Sequence, residues 1–213
     1  MHLSLIGMSR SGKSHWSTKL VERGFGRFCC DDLISDKLAP ELSRGDGTAM
    51  DLGEWMGFPY ESQYKERESK YLACEIAVIG EILDNLCRSK PEEKVVVDTT
   101  GSVIYAGEDI LGRLRSTTIV VYLATPPEIK EKMLQVYEDQ PRPVLWRNIF
   151  SKQQGETNKE ALARCYPLLL SSRERLYGKH AHVTIDYYLR RREGFGVKEL
   201  LGEIQAQSRK GRV

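Results

Sequence analysis

The chain has 213 residues, the size of one α/β domain that buries a single continuous core. Its 32 Lys and Arg nearly balance its 30 Asp and Glu, so the bulk charge gives no reason to expect nucleic acid or a membrane surface as a partner. The apolar start of the chain, residues 2–6, is too short for a signal peptide or a membrane span, and we expect a cytoplasmic protein. The five cysteines form no CxxC pair and are expected to be reduced structural thiols.

Apolar segments of strand length alternate along the chain with longer segments of helical periodicity. This alternation is typical of a parallel sheet with helices on both faces. Several of the strand segments are continuously apolar, as expected of strands that are buried on both faces. In chain order, strands are predicted at residues 2–6, 27–30, 95–98, 118–124 and 182–186.

Two helices are predicted with defined positions, over residues 61–88 and 126–137. In the first, apolar residues recur at spacings of three and four, which marks one buried helix face. These residues are Leu72, Ile76, Ile79, Leu83 and Leu86. The second begins with two prolines and an acid, a composition that favours the first turn of a helix. Residues 40–60 and 138–158 lack clear periodicity and are predicted to be mobile.

Residues 7–14 read GMSRSGKS and match the P-loop pattern GxxxxGK followed by Ser or Thr, directly after a predicted strand and before a helical pattern. In this motif the glycines let backbone N–H groups face phosphate oxygens, and the helix N-terminus adds its dipole. We expect Lys13 to bridge the β- and γ-phosphates of a nucleoside triphosphate, and the Ser14 hydroxyl to ligate Mg²⁺. The predicted nucleotide-binding residues are Gly7, Ser9, Ser11, Gly12, Lys13, Ser14 and Thr18.

Two of the predicted strands end in acidic residues. Asp98 closes the third strand in the manner of a Walker B segment and is predicted to hold Mg²⁺ together with Ser14. Asp31 follows the second strand and is expected to contact a substrate. For both aspartates, the alternative is an ordinary helix-capping role, which is common after a strand.

Taken together, these motifs resemble the shikimate kinase family, from the first strand to about residue 201. Besides the P-loop, five segments carry the resemblance in the family's order: FCCDDLI at 28–34, YKERE at 64–68, TTGSV at 99–103, RPVL at 142–145 and RERLY at 173–177. The resemblance implies an α/β P-loop NTPase fold with a five-stranded parallel sheet in the order 2-3-1-4-5. It also implies one kinase domain over residues 1–205, with a substrate-covering region at 40–62 and a lid at 138–158, followed by a basic tail at 206–213.

The activity that this resemblance implies is transfer of the γ-phosphate of ATP, with Mg²⁺, to a hydroxyl of a small polar or anionic metabolite, with shikimate the first compound to test. Lys13 would hold the phosphates, Asp31 would orient and deprotonate the acceptor hydroxyl, and Arg142 would move in with the lid. The implied substrate contacts are Asp31, Lys65, Thr100, Gly101 and Arg173. For Arg142, Lys65 and Arg173, the alternative is an ordinary surface charge.

Three departures from the family pattern fall on groups that read the substrate. Cys29 stands where the family has an aspartate near the metal, and a thiol is a poor partner for Mg²⁺. Lys65 stands where the family has an arginine that clamps the shikimate carboxylate, and a lysine lacks the planar fork. Thr99 and Thr100 replace two glycines of a triglycine loop, and their branched side chains keep the backbone from lying flush against a ring. The identity of the compound that accepts the phosphate therefore stays open.

Two other functions remain possible on the sequence alone. A nucleoside or nucleotide kinase shares the P-loop and a lid, and a non-kinase ATP-binding regulatory protein would use the nucleotide to control a partner. Nucleic-acid binding is not expected, because basic residues are interspersed with acids. We expect a small-molecule substrate, no membrane partner, and a monomer or weak homodimer. The run Arg190-Arg191-Arg192 is interpreted as a solvated charge run, with stacking of one arginine on adenine as the alternative.

Overall fold

The computed structural model describes residues 1–44, 46–90, 92–140 and 142–210, and its centre is a parallel sheet. The strands are β1 (His2–Ile6), β2 (Gly26–Cys29), β3 (Val95–Asp98), β4 (Ile119–Leu123) and β5 (Val183–Ile185). They pair in parallel in the order β2-β3-β1-β4-β5. The predicted fold class and strand order are confirmed, and the strand ends differ from the prediction by one residue, as at Cys30, which opens a helix.

Eight α-helices connect or follow the strands within the described part of the chain. They are α1 (Lys13–Val21), α2 (Cys30–Leu42), α3 (Leu52–Met56), α4 (Tyr64–Arg88), α5 (Glu108–Thr117), α6 (Pro127–Asp139), α7 (Asn158–His180) and α8 (Val197–Lys210). The helices predicted over residues 61–88 and 126–137 correspond to α4 and α6. Short 3-10 turns lie at Val103–Tyr105 and Leu189–Arg191.

Alternate residues of each strand feed two separate cores, because successive side chains of a strand point to opposite faces. In β3, Val96 packs with Trp16 of α1 and Ile204 of α8, while Val97 belongs to the larger cluster with Ile79 of α4 and Leu169 of α7. Both faces of the sheet are therefore covered. The ends of its strands, where the loops leave the sheet, remain as places where a site can form.

The segment predicted as a mobile lid is anchored in the core at its middle. Leu145 and Trp146 are fully buried. The Tyr64 hydroxyl donates to the carbonyl of Val144 at 2.7 Å and accepts from the backbone N–H of Trp146 at 2.9 Å. Oε1 of Glu68 accepts from the next backbone N–H, at Arg147. The prediction of mobility over residues 138–158 is therefore wrong for residues 144–146.

The other segment without periodicity also contains order. It includes the short helix α3, whose Trp55 and Met56 are buried in the larger core. Asp51 caps this helix and accepts from the backbone N–H groups of Gly53 at 2.8 Å and Glu54 at 3.4 Å. The cap explains why so short a helix begins at Leu52.

At the C-terminus, α8 extends to Lys210, so residues 206–210 of the predicted basic tail are helical. Residues 211–213 of that tail lie outside the described residues. All five cysteines are free thiols. Across the described residues, we find no helix with the length and hydropathy needed to span a membrane.

Candidate active site

The P-loop connects the carboxyl end of β1 to α1 and requires glycine at two positions. Gly7 has φ 146° and Gly12 has φ 98°, conformations that other residues rarely adopt. A Cβ added at Gly7 would lie 2.9 Å from the carbonyl oxygen of Leu123 and 2.9 Å from Oγ of Ser11. The backbone therefore turns tightly against the end of β4, as a phosphate-binding loop must.

Lys13 lies buried at the base of this loop, with its ammonium turned towards the loop itself. Its Nζ donates to the carbonyl oxygens of Gly7 and Met8, both at 3.0 Å. Burial lowers the pKa of this ammonium, and the carboxylates of Asp31 and Asp98 oppose that effect. A negatively charged ligand would relieve the cost of keeping the buried charge.

The other P-loop side chains differ in burial and in whether they line the cavity. The Oγ of Ser11 is buried and has no hydrogen-bond partner among the described residues, so it has bonding capacity for a ligand. Ser14 is exposed at the first turn of α1 and lines the cavity described next. Thr18 is exposed one turn further along α1, outside that cavity's wall.

A cavity of about 660 Å³ opens beside the P-loop, at the carboxyl edge of the sheet. Three sets of residues line it, and they come from distant parts of the chain. The P-loop wall consists of Ser9, Arg10, Gly12, Lys13, Ser14 and His15. The second wall consists of Asp31, Ser35, Asp51, Leu52, Gly53, Tyr71, Thr100, Gly101 and Arg173. The lid wall consists of Gln140, Arg142 and Pro143. The cavity thus unites the predicted catalytic residues with three of the predicted substrate contacts besides Asp31.

Asp31 is the second residue of α2 and faces the cavity. Its side chain is exposed to the cavity, and desolvation by the surrounding wall raises the pKa of its carboxyl, while the positive charges of Lys13 and Arg142 oppose the rise. The carboxylate therefore stands within the influence of both the P-loop lysine and the lid arginine. This is the arrangement needed to hold a hydroxyl between a base and a phosphate.

Arg173 is buried and lines the cavity, so the alternative that it is an ordinary surface charge is wrong. Its Nη1 donates to the carbonyl of Gly101 at 3.3 Å and its Nη2 to the carbonyl of Leu145 at 3.0 Å. The guanidinium lies 5.5 Å from the ring centre of Tyr105. Its Nε is buried without a partner among the described residues. Arg173 therefore joins the loop after β3 to the anchored end of the lid.

Thr100 is held by a buried acid that sequence reasoning missed. Its hydroxyl donates to Oε1 of Glu75, which also accepts from Oγ of Ser102 at 3.1 Å. The backbone N–H of Ser102 donates back to Oγ1 of Thr100 at 3.1 Å. Burial raises the pKa of Glu75 to about 7, although these hydrogen bonds oppose the rise. Helical spacing offered the signal: Glu75 lies three residues after Leu72 and four before Ile79, on the apolar face.

Lys65 is the predicted substrate contact that the structure does not bring to the cavity. Its side chain is exposed on α4 and is not part of the cavity lining. The same helix turns Tyr64, Glu68 and Tyr71 inward, and Tyr71 reaches the second wall. Lys65 is next to Tyr64 in sequence and so points about 100° away from it around the helix axis. The structure therefore places Lys65 outside the cavity, and its implied role in binding substrate stays a prediction.

Asp98 lies deeper than a solvent-facing metal ligand and already has protein partners. Its Oδ2 accepts from Nη2 of Arg27 at 2.7 Å and from Oγ of Ser17 at 2.9 Å. Its Oδ1 is buried without a partner among the described residues. Cys29 is its register partner on β2, and burial raises the pKa of that thiol to about 11, which keeps it neutral. A metal role for Asp98 would therefore fall to Oδ1 and stays a prediction.

Arg190 is not part of a solvated charge run, in contrast to the exposed Arg191 and Arg192. Its guanidinium donates to the carbonyl oxygens of Ile185, Ser11 and Ala124 at 2.9, 3.2 and 2.6 Å. Burial lowers the pKa of Arg190 to about 10. It therefore ties the P-loop backbone to the ends of β4 and β5.

The fold and this cavity define a P-loop protein of the α/β class whose phosphate loop faces an open cavity lined by polar and charged residues. The family model for shikimate kinase matches residues 61–205, and the chain belongs to the shikimate kinase family. The matched residues begin after the P-loop and include Glu75, Thr100, Arg142 and Arg173. Membership of this family supports an ATP-dependent kinase that phosphorylates a hydroxyl group.

Solved shikimate kinases share the whole fold at low sequence identity. The enzyme from Acinetobacter baumannii, in complex with shikimate, is 23% identical with a TM-score of 0.59, covering 99% of this chain and 93% of that one. The enzyme from Bacteroides thetaiotaomicron is 17% identical, also with a TM-score of 0.59, covering 100% and 99%. The enzyme from Aquifex aeolicus is 17% identical with a TM-score of 0.58, covering 98% of each chain. No curated protein matches the chain.

Proposed function

We propose that this protein is an ATP-dependent kinase that transfers the γ-phosphate to a hydroxyl of a small polar metabolite. Family membership supports the reaction class. The observation that carries the proposal is the single cavity onto which Lys13, Asp31 and Arg142 all face. Phosphoryl transfer needs a phosphate site, a group that orients the attacking hydroxyl, and a mobile positive charge, and the three residues supply one each.

In the proposed reaction, the γ-phosphorus forms a bond to the acceptor oxygen while its bond to the ADP oxygen breaks. Lys13 would exchange its two loop carbonyl partners for phosphate oxygens. Asp31 would accept the proton of the acceptor hydroxyl, and its raised pKa makes it a better proton acceptor than an ordinary aspartate. Arg142 would offset the charge that develops on the transferred group.

The chain also offers oxygen donors for the metal ion that accompanies ATP in this family. The Ser14 hydroxyl and the unpartnered Oδ1 of Asp98 are hard oxygen ligands, which fit Mg²⁺. When bound, Mg²⁺ would neutralise negative charge on the phosphates.

An ADP-release assay with ATP and Mg²⁺ tests the proposal, with shikimate as the first acceptor and a panel of small hydroxyl compounds after it. We expect release to depend on an acceptor. We also expect Asp31→Asn to lower kcat by about 100-fold or more, because the hydroxyl would lose its proton acceptor. Lys179→Ala serves as a control, since this exposed lysine pairs with Glu108 on the surface.

The opposite outcomes would favour a nucleotide-binding regulatory protein. These are ATP hydrolysis at the same rate with and without every acceptor, or an Arg142→Ala variant that keeps full activity. Either result would remove the acceptor or the lid arginine from the reaction.

A further inference from the structure

The second wall of the cavity carries negative charge where a carboxylate-binding site would need positive charge. Asp31 and Asp51 both line it. Asp51 uses Oδ1 to cap α3, and its Oδ2 makes no hydrogen bond within the described structure. A carboxylate oxygen with free bonding capacity is a good acceptor for a hydroxyl or ammonium and repels another carboxylate.

The positive charge on this wall comes from one side chain that already holds two main-chain carbonyls. Arg173 is its one cationic side chain among the described residues, and both of its Nη atoms donate to main-chain carbonyls, at Gly101 and Leu145. A planar, bidentate contact to a ligand carboxylate needs two N–H groups on one edge of the guanidinium. The two carbonyls use one N–H on each Nη, so Nε–H and one N–H on each Nη are left to hold a carboxylate. Lys65, at the position of the family's carboxylate-clamping arginine, is exposed outside the cavity.

Hydroxyl groups complete the wall, and a fully buried acid, Glu75, lies behind one of them. Ser35, Tyr71 and Thr100 line the cavity and carry hydroxyl groups. The hydroxyl hydrogen of Thr100 is donated to the buried Glu75, and its oxygen already accepts from the backbone N–H of Ser102, which leaves one lone pair to accept from a ligand. Oε2 of Glu75 has no partner among the described residues. These groups suit a ligand that offers several O–H or N–H donors.

We propose that the acceptor of this kinase is a polyhydroxylated compound without a carboxylate, of the neutral polyol or amino-polyol class. The inference rests on the proposed kinase function and assigns its substrate class. Hydroxyls of such a compound would donate to Asp31, Asp51 and the Thr100 oxygen, and an amino group would pair with Asp51. A ligand carboxylate at this wall would face two carboxylates, and Arg173 is the one cationic side chain of the wall among the described residues.

The decisive comparison uses shikimate and its methyl ester, which share the ring and its hydroxyls and differ by one negative charge. Binding of each to the full chain with ADP and Mg²⁺ is measured by calorimetry, together with myo-inositol, glucosamine and 2-deoxystreptamine. We expect the ester to bind at least about tenfold more tightly than the acid. Tighter binding of the acid would overturn the inference, as would failure of every neutral and cationic compound to bind.

ADP release measured in parallel separates this inference from the proposed function. If neutral polyols bind with the expected preference but none stimulates ADP release, the kinase proposal fails and the ligand class stands. If shikimate is phosphorylated with a higher kcat/KM than its ester, the kinase proposal stands and the ligand class fails.

Charge-removing variants test which residue causes the preference for the methyl ester over shikimate. Asp51→Asn removes the charge while keeping the helix cap, since asparagine caps helices as well as aspartate does. We expect the preference for the ester to fall several-fold in this variant, and an unchanged preference would overturn the role of Asp51. Asp84→Asn is the matched control, because Asp84 is exposed on α4 and pairs with Arg113. Selective loss of shikimate binding in Lys65→Ala would also overturn the inference, because Lys65 would then be reading a carboxylate.

Discussion

The buried carboxyl of Glu75 should make the protein less stable as the pH rises towards neutrality. Burial raises the pKa of this group from 4.5 to about 7 in the folded state. Since one pKa unit corresponds to about 1.4 kcal/mol, the difference amounts to about 3 kcal/mol of unfolding free energy. This is a large fraction of the stability of a domain.

The direction of the effect follows from which state holds the proton more tightly. The folded protein does so, because its Glu75 pKa lies above the ordinary value. The stabilisation by that proton is complete below about pH 4.5, declines as the pH rises, and is lost above about pH 7.

Glu75→Gln tests this directly, because glutamine keeps an oxygen for Thr100 and Ser102 but cannot ionise. Urea unfolding of wild type and variant over this pH range should give a stability difference that moves by about 3 kcal/mol in favour of the variant as the pH rises. Ser102→Ala provides a second arm: it removes a hydrogen bond that lowers the Glu75 pKa, so the loss of stability should extend to higher pH. A stability difference between wild type and Glu75→Gln that does not change with pH would refute the reasoning.

Two further substitutions probe the P-loop. Gly7→Ala should weaken ATP binding by about tenfold or more. The new methyl group would lie 2.9 Å from atoms of Leu123 and Ser11, in a backbone conformation that alanine avoids. A fluorescent nucleotide titration measures the Kd for ATP, and an unchanged Kd would contradict this prediction. Arg190→Leu should lower the free energy of unfolding by about 3 kcal/mol, because three main-chain carbonyls lose a buried charged donor. Urea denaturation measures this loss. A loss below about 1 kcal/mol would contradict the prediction and mean that water replaces the guanidinium.

The sheet and the P-loop could be predicted because their signals are local. A strand such as β3 is continuously apolar until Asp98, and the phosphate loop needs glycine where the backbone takes positive φ. The strand order came with the family resemblance, since no local pattern specifies which strand lies beside which.

The inward face of α4 could be predicted only in part, because a pattern of apolar residues does not mark the buried acids on that face. Tyr64, Glu68, Tyr71 and Glu75 lie at spacings of four, three and four, so they share one buried face, but two of them are acids. Buried acids are rare without partners, and their partners here come from the lid and from the loop after β3. That information is tertiary, and so is the outward direction of Lys65.

The burial of Leu145 and Trp146 was missed for a related reason. The residues lie in an irregular segment where no periodicity marks an inward face. Their position depends on single contacts from other elements, at Tyr64 and Arg173.

The anchoring of Val144 limits how far the lid arginine can travel. One residue, Pro143, lies between them, so their Cα atoms are two peptide units apart and about 7 Å from each other at most. Because Tyr64 holds Val144 in place, Arg142 stays tethered at the cavity mouth throughout any opening and closing. The Arg142 guanidinium is therefore present near the cavity at a high effective concentration. Lid closure requires only a local movement of the chain around residue 142. Lid closure should therefore be fast compared with a loop that must find its site from solution.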